Sequence, residues 1–346
     1  MTARQEGESA GSDGSADTMR GRVPGSRVRV WLLLEADRLV ITGVILGLVF
    51  LALGALAWVV PGRFEAALAA RDPVETLFQA MVTAIVTGVT LVVSINQLVL
   101  SQELGPVGDQ YSRIQGAMAF RRDVEDRLDE PVSPSDPAEF LQSLLGTVQD
   151  DARRVERIVR SGGGGTHAEE IAAFSDEVST NAAAVSRRFE GAAFGTFDVV
   201  SAALDFNYSA KIYEGRKLRT EYADDLSEEG EAAIDALVET LVLFGPAREH
   251  FKTLYFQWAL IDLSRAVLFA AVPALATAAA MILFFDDPGV VPGATAGVDN
   301  AYWLVSLALV VTVSPFVLLL SYILRIATVA KRTLAIGPFV LRGDDG

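Results

Sequence analysis

A row of hydroxyls and amides runs along one otherwise apolar segment of this chain: Thr76, Gln79, Thr83, Thr87, Thr90, Ser94, Gln97 and Ser101. The steps are three and four residues, so at about 100° per residue the row covers an arc of about 80° on a helix. The rest of that helix is Val, Ile, Leu, Ala and Met, with Asn96 on the opposite side. These side chains have no base beside them to make a nucleophile and no spacing that would hold a metal. Their chemistry is hydrogen bonding, the exchange of one polar partner for another. A polar stripe crossing hydrocarbon must face protein or water. Two readings stay open. The stripe is either a buried helix–helix seam, with Thr and Ser also bonding back to their own i−4 carbonyls, or the wall of a hydrated path completed by symmetry copies. Without carboxylate or guanidinium rings to fix ion sign, such a wall suits weakly selective permeation.

The elements that position the stripe follow from hydropathy. Apolar stretches cover residues 39–60, 77–100, 266–285 and 302–324. Each is near the roughly 20 residues that a helix needs to cross a bilayer core. Trp31, Trp58, Trp258 and Trp303 fall at or just outside span ends, where amphipathic rings sit at headgroup level. The predicted fold is all-α, with four transmembrane helices arranged 2+2 around an α-helical cytoplasmic domain. The expected division is a disordered N-terminus (1–30), a transmembrane hairpin (31–100), an acidic helical domain (101–258), a second hairpin (259–324) and a C-terminal tail (325–346).

Charge separates these parts. The chain carries 44 acidic and 29 basic residues, a net charge of −15, with mean hydropathy +0.34. Segment 101–258 holds 29 of the acids and 16 of the bases, a net of −13. That acidity argues against a nucleic-acid partner and against the domain lying flat on an anionic leaflet. Only four of the basic residues are Lys. Low Lys, many carboxylates and small apolar residues point to work in strong salt, where a Debye length of about 3 Å screens self-repulsion. Cysteine is absent, which excludes disulfides, thiolate metal sites and Cys nucleophiles.

Basic residues also set the expected orientation. Arg20, Arg22, Arg27, Arg29 and Arg38 precede the first span, and Arg325, Lys331 and Arg332 follow the last. Loop 286–301 has no Lys or Arg, and loop 61–76 has only Arg63 and Arg71. The bias places both termini and the acidic domain in the cytoplasm of a plasma-membrane protein.

Within the spans, Gly43-x-x-x-Gly47 and Gly54 are candidates for close helix packing. In span three, Ala266, Ala270, Ala274 and Ala278 repeat at i+4. Pro273 and Pro315 are candidate kinks. Asp262 and Arg265, i,i+3 at the inner end of span three, are either an intramembrane functional pair or an interfacial pair snorkelling to water.

In the acidic segment, helices are expected over 107–128, from Pro137 with Ser135 or Asp136 as cap, over 168–206, over 208–223, and from Ser227 toward span three with a bend at Gly245-Pro246. Gly162 to Gly165 form a joint. They lack the Lys-Ser/Thr ending of a phosphate loop. Tyr208, Lys211, Tyr213, Arg216, Lys217 and Arg219 form a basic-aromatic patch, read as a solvated helix face or a contact for headgroups or an acidic partner. His167 and His250 have no companions at ligand spacing. No catalytic, cofactor or metal motif is found, so no enzyme activity is expected.

The run Ser94-Ile95-Asn96-Gln97-Leu98-Val99-Leu100-Ser101-Gln102-Glu103-Leu104-Gly105 resembles a segment of multi-pass membrane proteins of halophilic archaea. The resemblance implies a membrane protein and brings no activity. In order of elements alone, the chain is similar to the bestrophin-like anion channels. The expected partners are the lipid bilayer, further copies of the same chain, and a soluble cytoplasmic protein. The leading expectation is an oligomeric channel-like protein. The alternative is a membrane-anchored scaffold without permeation.

Overall fold

The computed structural model describes residues 36–59, 71–162, 166–191, 197–285 and 291–332. The expectations for residues 1–30, Trp31, residues 163–165 and the tail beyond 332 fall outside them. The elements are α1 (Arg38–Val59), α2 (Arg71–Glu103), α3 (Val107–Leu128), α4 (Pro137–Ser161), α5 (Thr166–Arg187), α6 (Phe197–Leu204), α7 (Tyr208–Glu221), α8 (Glu228–Phe284), β1 (Ala294–Thr295), β2 (Val298–Asp299) and α9 (Asn300–Arg332). Helices α1, α2, α8 and α9 are long and apolar enough to cross a membrane. The chain divides into an acidic unit, centred on Gly105–Phe256, and an apolar unit made of Ser26–Leu104 and Gln257–Val329.

In the apolar unit, α2 meets α8 and α9 along a narrow strip. Phe78 packs with Ala278, Met281 and Tyr302. Ile85 packs with Ala271 and Ala274, and Val92 with Leu263, Val267 and Leu318. Small residues on α8 let the α2 side chains approach, which is how apolar helices associate where lipid tails are as oily as Leu. Helix α1 is tied on by its ends. The Tyr302 hydroxyl donates to the Leu53 carbonyl at 2.5 Å, and the Phe50 and Trp303 rings lie 5.4 Å apart. At the other end, Arg38 is buried and donates to the Ser321 carbonyl at 3.3 Å. β1 and β2 pair antiparallel through a two-residue turn, with Ala296 at φ 53° and Gly297 at φ 79°, the left-handed pair that a tight hairpin requires. This hairpin is an addition to the all-α expectation. Its Asp299 carboxylate accepts from the Ala301 N–H at 2.8 Å and starts α9.

The acidic unit has its own core, led by Leu141, Leu144, Leu145 and Val148 of α4, Ile171 and Val178 of α5, and Ile234, Leu237 and Leu241 of α8. Each fully buried apolar side chain contributes about 1.5–3 kcal/mol. Helix α4 starts where the sequence placed a cap: the Asp136 carboxylate accepts from the N–H groups of Ala138 and Glu139, with Pro137 in the first turn. A half-buried network joins α3, α4 and α8. Arg127 donates to Asp151 at 2.6 Å and to the Ala236 carbonyl at 2.7 Å, and Thr240 donates to Asp151 at 2.6 Å.

Two expectations for this unit change, and a third element gains detail. The single helix over 168–206 is two helices. After Arg187, the N–H groups of Arg188, Phe189 and Glu190 bond three residues back, and Gly191 turns at φ 72°. The helix expected from Ser227 toward span three starts at Glu228 and, as α8, continues through Gly245-Pro246 as far as Phe284. Gly245 is there for closeness: a Cβ would stand 2.7 Å from the Tyr208 ring. The basic-aromatic patch is no continuous surface. Tyr208 and Lys211 are buried, Lys211 faces Glu177 at 3.4 Å, and Arg219 faces Asp235 at 2.8 Å.

Candidate functional site

Helix α2 has two faces. The buried one carries Val74, Phe78, Ile85 and Val92. The polar row lies about 160° round the helix from it. Gln79, Thr83, Thr87, Thr90, Ser94, Gln97 and Ser101 are all exposed. Among the described residues no other helix covers them, so within the described part of one copy the row is not a buried seam.

The hydroxyls are satisfied locally. Thr87 donates to the Thr83 carbonyl at 2.9 Å, Thr90 to Val86 at 2.9 Å and Ser94 to Thr90 at 2.9 Å. Thr83 donates to Gln79 at 3.2 Å, and Ser101 to Leu98 at 2.8 Å. A hydroxyl has one hydrogen and two lone pairs. With their hydrogens engaged by backbone carbonyls, the hydroxyls of the row offer acceptor oxygens outward, and the Gln amides add both acceptors and N–H donors. Gln79 donates to Glu75 at 3.0 Å, so its amide oxygen remains an acceptor too.

The other sequence candidates separate. Gly54 is a packing glycine inside the chain, since a Cβ there would meet the Trp303 ring at 2.7 Å. Gly43 and Gly47 are exposed, with open space where a Cβ would stand. Asp262 and Arg265 are both exposed on α8. No ion pair joins them among the described residues. Ala274 and Ala278 are fully buried. His167 lies 6.0 Å from the Tyr222 ring.

Sequence reasoning missed a polar knot in the apolar unit. Thr42 and Ser321 share a hydrogen bond at 3.2 Å, beside Arg38, and Arg325 donates to the Ala36 carbonyl at 2.7 Å. The signal was a polar residue just inside each of two spans, at ends that also carry Arg. Also missed was Gly88, on which a Cβ would approach Phe316 to 3.1 Å.

In the acidic unit the hydrogen bond to Glu214 raises the Lys217 ammonium above its ordinary value, and two further groups have displaced acidities. The Ser133 N–H, then its hydroxyl, hold the Glu125 carboxyl below the usual carboxylate range. The hydrogen bond to Glu170, with burial and nearby carboxylates, pushes the Tyr222 phenol up to about 12. Both tie helices to their neighbours, and neither borders a cluster suited to catalysis. Among the described residues, no three His, Asp or Glu side chains stand close enough together to hold a metal ion.

Residues 4–346 match the family described as "Family of unknown function (DUF7972)", and the chain belongs to it. No curated protein matches. No solved structure matches. Membership therefore brings no activity and no indication of source.

Proposed function

We propose that this member of a family of unknown function is a homo-oligomeric plasma-membrane protein in which α2 helices from several copies face a shared hydrated path. The observation that carries the reading is the exposure of the polar row opposite the face that α2 buries. Hydroxyls bonded back to their own helix cost little in lipid. Amides cost more: an unbonded amide in hydrocarbon is unfavourable by about 2–7 kcal/mol. Gln97 makes no hydrogen bond among the described residues, and its exposure favours water or another copy over lipid. Outward acceptor oxygens favour small cations over anions along such a path. Both termini and the acidic unit lie on the cytoplasmic side, where a net charge of −13 would raise the local cation concentration. The acidic helices regulate or assemble the path, and no catalytic role is assigned to any residue.

The test is ion flux through the purified full-length protein in liposomes at molar KCl. Wild type is expected to carry potassium ahead of chloride, and Thr87→Leu and Ser94→Leu to suppress most of the flux while folding is retained. Silence of wild type at either sign of membrane potential would overturn the reading.

A second reading, a membrane-anchored scaffold, has one observation in its favour. Val107, Tyr111, Ile114 and Met118 form an exposed apolar row on α3, at steps of four, three and four. A soluble partner recovered in stoichiometric amounts, and lost with Ile114→Asp, would favour it.

A further inference from the structure

The acidic unit holds a cleft of about 640 Å³ between α3, α4 and the Pro246–Phe251 stretch of α8. That volume falls in the range of about 300–1,000 Å³ typical of small-molecule sites. Its walls are mainly apolar. Phe140 lies 6.3 Å from Phe120 and 6.2 Å from Phe251, the latter edge-on. Its polar groups are unlike their surroundings. In a segment of net charge −13, the cleft is lined by Arg113, Arg121 and His250 and, among the described residues, by no Asp or Glu.

Arg121 is held in place before any ligand arrives. Its Nη2 donates to the Ser133 carbonyl at 2.6 Å and to the Pro134 carbonyl at 2.9 Å. Its guanidinium sits 5.5 Å from the centre of the Phe140 ring. Three of its five donor hydrogens remain beyond those two bonds. The Glu125 carboxylate, on which the Arg121 charge acts, is itself tied to Ser133. A fixed cation on an aromatic floor is suited to a carboxylate, sulfonate or phosphate whose remainder is apolar. The α3 wall is low, because Gly116 and Ala117 face the cleft and a Cβ on Gly116 would meet nothing within 4 Å.

We propose that this cleft binds a small organic anion with one charged head and an apolar body, the head pairing with Arg113 and Arg121 and the body lying on the Phe120, Phe140 and Phe251 rings. The site belongs wholly to the acidic unit and does not depend on whether α2 lines a path.

The test uses full-length protein in nanodiscs and 4-(trifluoromethyl)benzoate, read by fluorine NMR line broadening. Saturable broadening beyond that of empty nanodiscs is expected, weaker by about tenfold for the uncharged benzamide analogue. Arg113→Glu reverses one charge of the head site at an exposed position. Gly116→Leu fills the cleft and adds a better helix former. Each is expected to weaken binding by about tenfold or more, with helicity unchanged by circular dichroism. Displacement by decanoate before phenyl phosphate would assign a lipid-derived acid as the natural class. The reverse order would assign a soluble aryl or acyl phosphate. No saturable broadening in wild type, equal binding of the benzamide, or undiminished binding by well-folded Gly116→Leu would overturn the proposal.

Discussion

Thr87 and Ser94 engage their hydroxyl hydrogens with carbonyls one turn back, so what they offer outward is oxygen lone pairs. The charge preference of the proposed path follows from that direction of donation. Replacing Thr87 by Val keeps its shape and removes the oxygen, and is expected to lower potassium flux and leave chloride leak unchanged. In the acidic unit, Tyr222 donates to Glu170 at 2.5 Å. Below pH 10 the phenol is protonated in the folded and the unfolded chain alike, and its contribution is complete. Between pH 10 and about 12 the unfolded chain ionises first, and the contribution is lost as pH rises. Tyrosinate absorbance should show a titration step near 12, and Tyr222→Phe should abolish that step. Asp151→Ala would leave Arg127 and Thr240 without their common acceptor. It is expected to destabilise the unit by about 2–4 kcal/mol in denaturant titration, a little less than the roughly 3–5 kcal/mol of a fully buried pair because both side chains keep some solvent. Residue types and periodicity announced the α2 row. Nothing in the sequence announced the Arg127–Asp151–Thr240 network, whose members are up to 113 positions apart.

Glycines show how element identity outruns local propensity. Gly43, Gly47 and Gly54 read alike in sequence, yet only Gly54 touches a neighbour, the Trp303 ring. Gly54→Ala is therefore expected to overpack that contact and cost about 1–3 kcal/mol. Gly43→Ala should leave the folded monomer as stable as before, and heat-induced loss of secondary structure in detergent would show the contrast. Gly245-Pro246 has the composition of a hinge. The helix nevertheless continues through it, because Tyr208 packs on the bare Gly245 backbone and the Arg248 guanidinium sits 4.5 Å from the centre of the same ring. In the other direction, the heptad-like stripe over 168–206 concealed a break at residues 188–191. Hydrophobic period reports which face is buried, and a tight turn that returns the chain to the same core preserves the period.

At the scale of the whole molecule, the absence of cysteine makes assembly directly testable. A single Cys at Thr87 or Ser94 is expected to form disulfide-linked dimers between copies in native membranes under mild oxidation, and a Cys at Phe269 or Val272, exposed on α8, is not. Equal crosslinking at both sets of positions would remove the basis for a shared α2 path. The four apolar helices, the acidic helical unit and the polar row were determined by the sequence alone, since each depends on counting residue types along one helix. Which face of α2 is buried, which glycine is a contact, and where a cationic, aromatic-walled cleft opens were decided only by tertiary structure. Those properties arise where side chains from distant segments meet, and no local pattern encodes that meeting. Arg113, Phe140 and His250 lie in three separate helices and acquire a common chemistry only once α3, α4 and α8 pack.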